Sequence, residues 1–101
     1  MEKLHFEYQN STPVKKFAHV GVVASGDLEI LVYPADGEKT TLDITTGSDG
    51  FEKVWQNVLD RFFARYPLNG KFIVHDFGAT PGVVNLRLTQ AMEALKDEKR
   101  V

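Results

Sequence analysis

The sequence predicts an α+β fold built as a two-layer sandwich, a mixed sheet of four or five strands with two helices on one face. The expected order is β-β-β-α-β-α with an optional extra strand at the N-terminus. Three observations carry this. Short apolar runs broken by turn residues fill the first half, the period changes at Phe51, and a second helical stripe follows Pro81.

The elements follow in order. Leu4, Phe6 and Tyr8 alternate with His5 and Glu7, the period of a short strand with one buried face. Asn10-Ser11-Thr12-Pro13 reads as a turn. Lys16 to Ala24 then forms the first arm of a hairpin and Leu28 to Tyr33 the second, with Ser25, Gly26 and Asp27 at its tip, all residues that turns favour. Tyr33-Pro34-Ala35-Asp36-Gly37 closes that strand, and a second hairpin centred on Asp36-Gly37 is expected to pair Thr40–Thr46 with its predecessor. The first half therefore reads as a meander.

Phe51, Val54, Trp55, Val58, Leu59, Phe62 and Phe63 fall at i, i+3, i+4, i+7, i+8, i+11 and i+12, the stripe of an amphipathic helix lying on a sheet. Asp49 with Glu52 resembles a capping box, and Pro67 with Asn69-Gly70 ends the helix and turns the chain back. Lys71 to Phe77 supplies a further strand, parallel to the one before the helix across a right-handed crossover. Thr80 is placed to cap a second helix with Pro81 at its first position, running to about Leu95 on the stripe Val84, Leu88, Ala91, Met92 and Leu95. Lys96 to Arg100 forms a charged end that is expected to fray.

A chain of 101 residues with 43% hydrophobic content is expected to form one compact domain over 1–101. It has no long apolar run, and Met1 to Val14 is too polar and charged for a signal peptide, so a cytoplasmic protein without direct membrane insertion is expected. A net charge of -2 with no cluster of lysine or arginine argues against a nucleic-acid partner. There is no cysteine, which excludes disulfides, thiolate metal sites and cysteine nucleophiles; any thiol chemistry needs a thiol from outside the sequence.

The chemical inventory is thin. His5, His19 and His75 sit on separate strand-like segments without metal-ligand spacing, as ordinary strand histidines do. A triad of His75 and Asp76 with Ser25 is disfavoured, because adjacent strand residues point to opposite faces and Ser25 lacks the strained strand-to-helix elbow of such hydrolases. Gly78-Ala79-Thr80-Pro81-Gly82 precedes a helix as an anion-binding loop would, but it matches no phosphate-loop or dinucleotide fingerprint and reads better as a loop and cap. Lys15, Lys16, Arg61, Arg65 and Arg87 read as solvated charges. Ser25 stands apart: a hydroxyl at a hairpin tip is raised off the body of the domain, where another protein can reach it. The plain alternative is an inert turn residue.

The stretch Val23-Ala24-Ser25-Gly26-Asp27-Leu28-Glu29-Ile30-Leu31, together with His75-Asp76-Phe77-Gly78-Ala79-Thr80-Pro81-Gly82-Val83-Val84-Asn85-Leu86-Arg87-Leu88, closely resembles the acyl carrier protein, or delta subunit, of bacterial malonate decarboxylase. The resemblance covers essentially the whole chain. A more distant similarity is to the acyl carrier subunit of citrate lyase.

The resemblance implies that Ser25 carries 2'-(5''-phosphoribosyl)-3'-dephospho-CoA through a phosphodiester bond. The thiol of that arm holds acetyl, an acyltransferase subunit exchanges acetyl for malonyl, and a decarboxylase subunit releases carbon dioxide to regenerate acetyl. A prosthetic-group transferase is the further partner implied. The chain itself is then a non-catalytic carrier, with Gly26 leaving room for the phosphodiester and Asp27 serving turn formation or partner recognition. The residue before the serine, commonly glycine in that family, is Ala24 here. The Asp-Ser-Leu motif of fatty-acid carriers is absent. Two other classes stay open on the residues alone, an α+β interaction or ligand-binding module and a small hydrolase using Ser25 with His75 or His19.

Overall fold

The computed structural model describes residues 1–35, 37 and 39–96. In chain order the elements are β1 (Glu2–Gln9), β2 (Thr12–Pro13), β3 (Ala18–Gly21), β4 (Asp27–Tyr33), β5 (Lys39–Thr46), α1 (Glu52–Arg65), β6 (Leu68–Asn69), β7 (Lys71–Phe77) and α2 (Pro81–Leu95). The main sheet is 5-stranded in the order β1-β5-β7-β4-β3. β5 and β7 run parallel, joined through α1, and the other neighbours are antiparallel. The architecture is the expected α+β sandwich, with the optional N-terminal strand present as β1.

Two expectations about the first half need correction. The turn at Asn10–Pro13 contains the short strand β2, which pairs in parallel with β6 through Thr12↔Leu68 and Pro13↔Asn69. More important, β4 and β5 do not form a hairpin, because β7 lies between them. Phe72, Ile73 and Val74 are apolar on both faces of their strand, and such a strand gains most at the centre of a sheet. The ends of β4 and β5 are therefore separated by the width of β7, roughly 10 Å. Asp36, the expected centre of the turn, lies outside the described residues.

The core fills the space between sheet and helices. Leu28, Ile30 and Val32 of β4, Leu42 and Ile44 of β5, and Phe72 and Val74 of β7 are buried on one face. α1 covers them with Trp55, Leu59, Phe62 and Phe63, and α2 with Val84, Leu88, Ala91 and Met92. Each buried Val, Leu, Ile, Phe or Met among them contributes about 1.5–3 kcal/mol. The expected stripe of α1 fails only at its start, where Phe51 is 49% and Val54 38% exposed. The capping box also does not form. The residue before the helix is Phe51, without a side-chain bond, so Glu52 opens the helix instead of reaching back to Asp49. At the other end the Tyr66 N–H donates to the Phe62 carbonyl at 2.8 Å before Pro67 stops the helix.

α2 begins as the sequence predicts. The Val83 N–H donates to Thr80 Oγ1 at 3.3 Å, and Pro81 occupies the first turn. Of the segment expected to fray, residues 97–100 lie outside the described residues, and Lys96 caps the helix C-terminus. No helix among the described residues is long and apolar enough to cross a membrane.

Gly21 ends β3 at φ +82, and a Cβ there would meet the Leu28 carbonyl oxygen at 2.0 Å. Gly26, at the tip, has φ +78 with nothing within 4 Å of a built Cβ. Gly21→Ala should therefore cost about 3 kcal/mol or more, through clash and backbone strain together. Gly26→Ala should cost only the left-handed strain of about 1–2 kcal/mol. Urea unfolding of the two variants checks this ordering.

Candidate functional site

β3 and β4 pair from Ala18↔Val32 to Gly21↔Glu29, which leaves residues 22–26 to make the connection. Its outer end is a four-residue turn, Ala24-Ser25-Gly26-Asp27, closed by the Asp27 N–H donating to the Ala24 carbonyl at 3.0 Å. Positive φ at Gly26 gives this turn type II geometry and places Ser25 at its outer corner. Ser25 is exposed, as are Val22 at 50% and Val23 at 58%. Among the described residues no hydrogen bond engages the Ser25 hydroxyl. It lines a shallow depression of about 480 Å³ with Val23, Ala24, Gly47, Ser48, Phe77 and Gly78.

The tip is accessible but held. The Gly26 N–H donates to the Phe77 carbonyl at 2.7 Å, tying the turn to the end of β7. Asp27 anchors its other side. Its Oδ1 accepts from the Leu28 N–H at 2.7 Å and from Arg87 Nε at 3.0 Å, while Oδ2 accepts from the second arm of the guanidinium. This fork matches the geometry in which arginine binds carboxylate most specifically. Arg87, expected as a solvated charge, thus spans from α2 to the start of β4, with 22% of its side chain exposed. The Arg87 bond, then the Leu28 N–H, hold the Asp27 carboxyl below its ordinary range, and Asp27 raises Arg87 in return.

The loop after β7 is organised by a buried carboxylate. Asp76 accepts from the Thr46 hydroxyl at 2.7 Å and from the Ala79 N–H at 2.9 Å, and its own carbonyl accepts from the Gly47 N–H. With Thr80 bonded to the Val83 N–H, these amides already have partners, so the segment is the expected loop and cap. His75 lies on the opposite face from Asp76, near Glu29 at 3.4 Å, and Glu29 also faces His19 at 3.8 Å. His5 sits between Glu7 and Asp43, which raise its pKa, the Glu7 hydrogen bond most. None of the three histidines engages Ser25, and no cluster among the described residues is arranged to hold a metal ion.

The arrangement offers a reachable hydroxyl with no base or oxyanion donor beside it among the described residues. Gly26 and Asp27 both lie in this turn, Gly26 with positive φ and Asp27 closing it through its N–H. Arg87 and Asp76 were not legible as parts of the site, since Asp27 lies 60 residues from Arg87 and Thr46 lies 30 residues from Asp76.

Asp27 binds its proton more weakly when folded than when unfolded. Its contribution to stability is thus complete above the ordinary value of 3.8 and is lost as pH falls through the lower folded value. Asp27→Asn should lower the urea midpoint near neutrality, and the gap to the wild type should close in acid. Arg87→Ala should speed amide exchange of residues 22–27 severalfold while leaving β7 protected.

Comparison with known proteins bears on the chain as a whole. The family model described as ACP, malonate decarboxylase delta subunit (MdcD), matches residues 15–95. The chain is 45% identical over 94 residues to the malonate decarboxylase acyl carrier protein of Stutzerimonas stutzeri (strain A1501), covering 92% of this chain and 95% of the relative. It is 46% identical to that of Acinetobacter calcoaceticus, over 97% of this chain and 100% of the relative. A chain in the crystal structure of a Pseudomonas malonate decarboxylase hetero-tetramer in complex with malonate superposes with a TM-score of 0.90 at 41% identity, covering 95% of this chain and 100% of that one. The α+β architecture and the sequence agree, and this chain belongs to the malonate decarboxylase acyl carrier protein, or delta subunit, family.

Proposed function

We propose that this chain works as the acyl carrier subunit of a malonate decarboxylase and that Ser25 is where its prosthetic group is attached. The observation that carries the reading is an exposed, unengaged hydroxyl at the corner of a turn that is itself fixed on both sides, in a member of an acyl carrier family. The residues present fit a bulky phosphodiester at Ser25. The open space around Gly26 admits it, and the Asp27 carboxylate is already neutralised by Arg87.

The group is 2'-(5''-phosphoribosyl)-3'-dephospho-CoA, whose terminal thiol supplies the thioester exchange with acetyl and malonyl that a chain without cysteine cannot. In the attachment step the Ser25 oxygen bonds to the phosphorus of an activated donor held by a prosthetic-group transferase, the bond from that phosphorus to the donor's diphosphate leaving group breaks, and the hydroxyl proton passes to solvent. Thereafter the chain makes and breaks no bonds. The type II turn fixes where the arm starts, Gly26 and Asp27 hold the turn, and the acyltransferase and decarboxylase subunits perform the chemistry. The unit is a single acyl-carrier domain working in the cytoplasm.

Intact mass of the protein isolated from its own host, followed by peptide mapping, should place the added group on Ser25. Ser25→Ala should change stability by less than about 0.5 kcal/mol and reduce malonate decarboxylation by the assembled complex to background. An active Ser25→Ala complex would favour an interaction module with an inert turn residue.

A further inference from the structure

Phe51, just before α1, and Val54, in its first turn, continue the apolar stripe of the helix yet stand exposed. They form the rim of a pocket of about 300 Å³ that continues inward over Trp55 and is closed from the other side by Ala79, Pro81 and Val84. Its walls are mostly apolar, and its polar lining residues are Ser48, Thr80, which accepts from the Val83 N–H, and Asp76, already bonded to Thr46 and Ala79. The volume is at the small end of ligand sites, roughly 300–1,000 Å³.

Ser48 and Gly78 line this pocket and also line the depression around Ser25. The two hollows therefore meet at one saddle. Backbone contact makes the adjacency close, since a Cβ built on Gly78 would lie 3.8 Å from the Gly26 nitrogen. The groove beneath the far end of α2, lined by Val14, Leu68 and Met92 among others, shares no residue with the Ser25 depression.

We propose that this pocket is a resting site for the far end of the arm attached at Ser25, taking up its thiol or acetyl end and rejecting its malonyl end. The proposal rests on the attachment reading above. An uncharged terminus gains by leaving water for a wall of Phe51, Val54 and Trp55. A carboxylate would be desolvated there without a cation, beside the Asp76 carboxylate, so it stays outside. The carrier thus shelters the thioester between turnovers and presents it once it holds malonyl.

The sequence contains no cysteine and one tryptophan, so the modified protein carries a single thiol and a single indole reporter on the pocket wall. With dithiodipyridine, the thiol of the modified protein should react about tenfold more slowly than free dephospho-coenzyme A, corresponding to a docking preference of about 1.4 kcal/mol. Denaturant should bring the two rates together. Ala79→Phe, which fills the pocket, should restore fast reaction in the folded protein. Val54→Glu should do the same at an exposed first-turn position, where an acidic side chain suits the helix N-terminus. Trp55 emission should shift between the unmodified and acetyl forms, and the malonyl form should match the unmodified one. A folded, modified protein whose thiol reacts at the free rate overturns the proposal, as does an emission shift shared equally by acetyl and malonyl forms. Absence of both added mass at Ser25 and any thiol would instead overturn the attachment reading.

Discussion

The position of β7 between β4 and β5 is the constraint on which the serine turn depends. Phe72 and Val74 are buried beneath the helices and Ile73 is half-buried on the other face, while the strand is paired on both sides, by β5 and β4. Its end then does several things at once. The Phe77 carbonyl holds Gly26, the Asp76 carboxylate joins Thr46 to Ala79, and the next residues launch α2, from which Arg87 reaches Asp27. The hairpin tip is thus fastened to two later elements of the chain as well as to its own strands.

This arrangement explains why an exposed turn can be a defined one. Loop tips ordinarily sit at the low-stability end of a fold, opening without disturbing the core. Here a backbone bond on one side and a forked ion pair on the other oppose that tendency. Both anchors leave the Ser25 side chain itself untouched. The backbone is therefore ordered where the hydroxyl is free, as the attachment proposed at Ser25 requires.

What could be read from the sequence follows the range of the interactions. The α2 stripe, the α1 stripe from Trp55 onward, the Thr80 cap and the Ser25–Gly26 turn rest on residues a few positions apart, and these stand in the structure. The order of the sheet does not. Nothing near Asp36-Gly37 marks that β5 must leave space for a strand made later, and the double-sided apolar run Phe72-Ile73-Val74 was the available sign that β7 takes the centre. Arg87 looked like one surface charge among several because its partner is 60 residues away. Phe51 and Val54 looked like core because periodicity reports a helix face without saying how far the sheet extends beneath it.

For the proposed carrier role, the stiffness of the root and the freedom of the arm act together. A tethered group meets its targets at an effective concentration set by the volume its tether sweeps, and a wandering root enlarges that volume without bringing any target nearer. Pinning Gly26 and Asp27 removes that contribution, leaving the arm as the mobile part. The same fixed root also makes a resting pocket worthwhile. Ser48 and Gly78 line both hollows, so the route from the serine to the apolar rim is part of the folded surface and is not assembled anew at each turnover. A rigid turn therefore serves reach and shelter alike, and the difference between them is left to the charge at the arm's end.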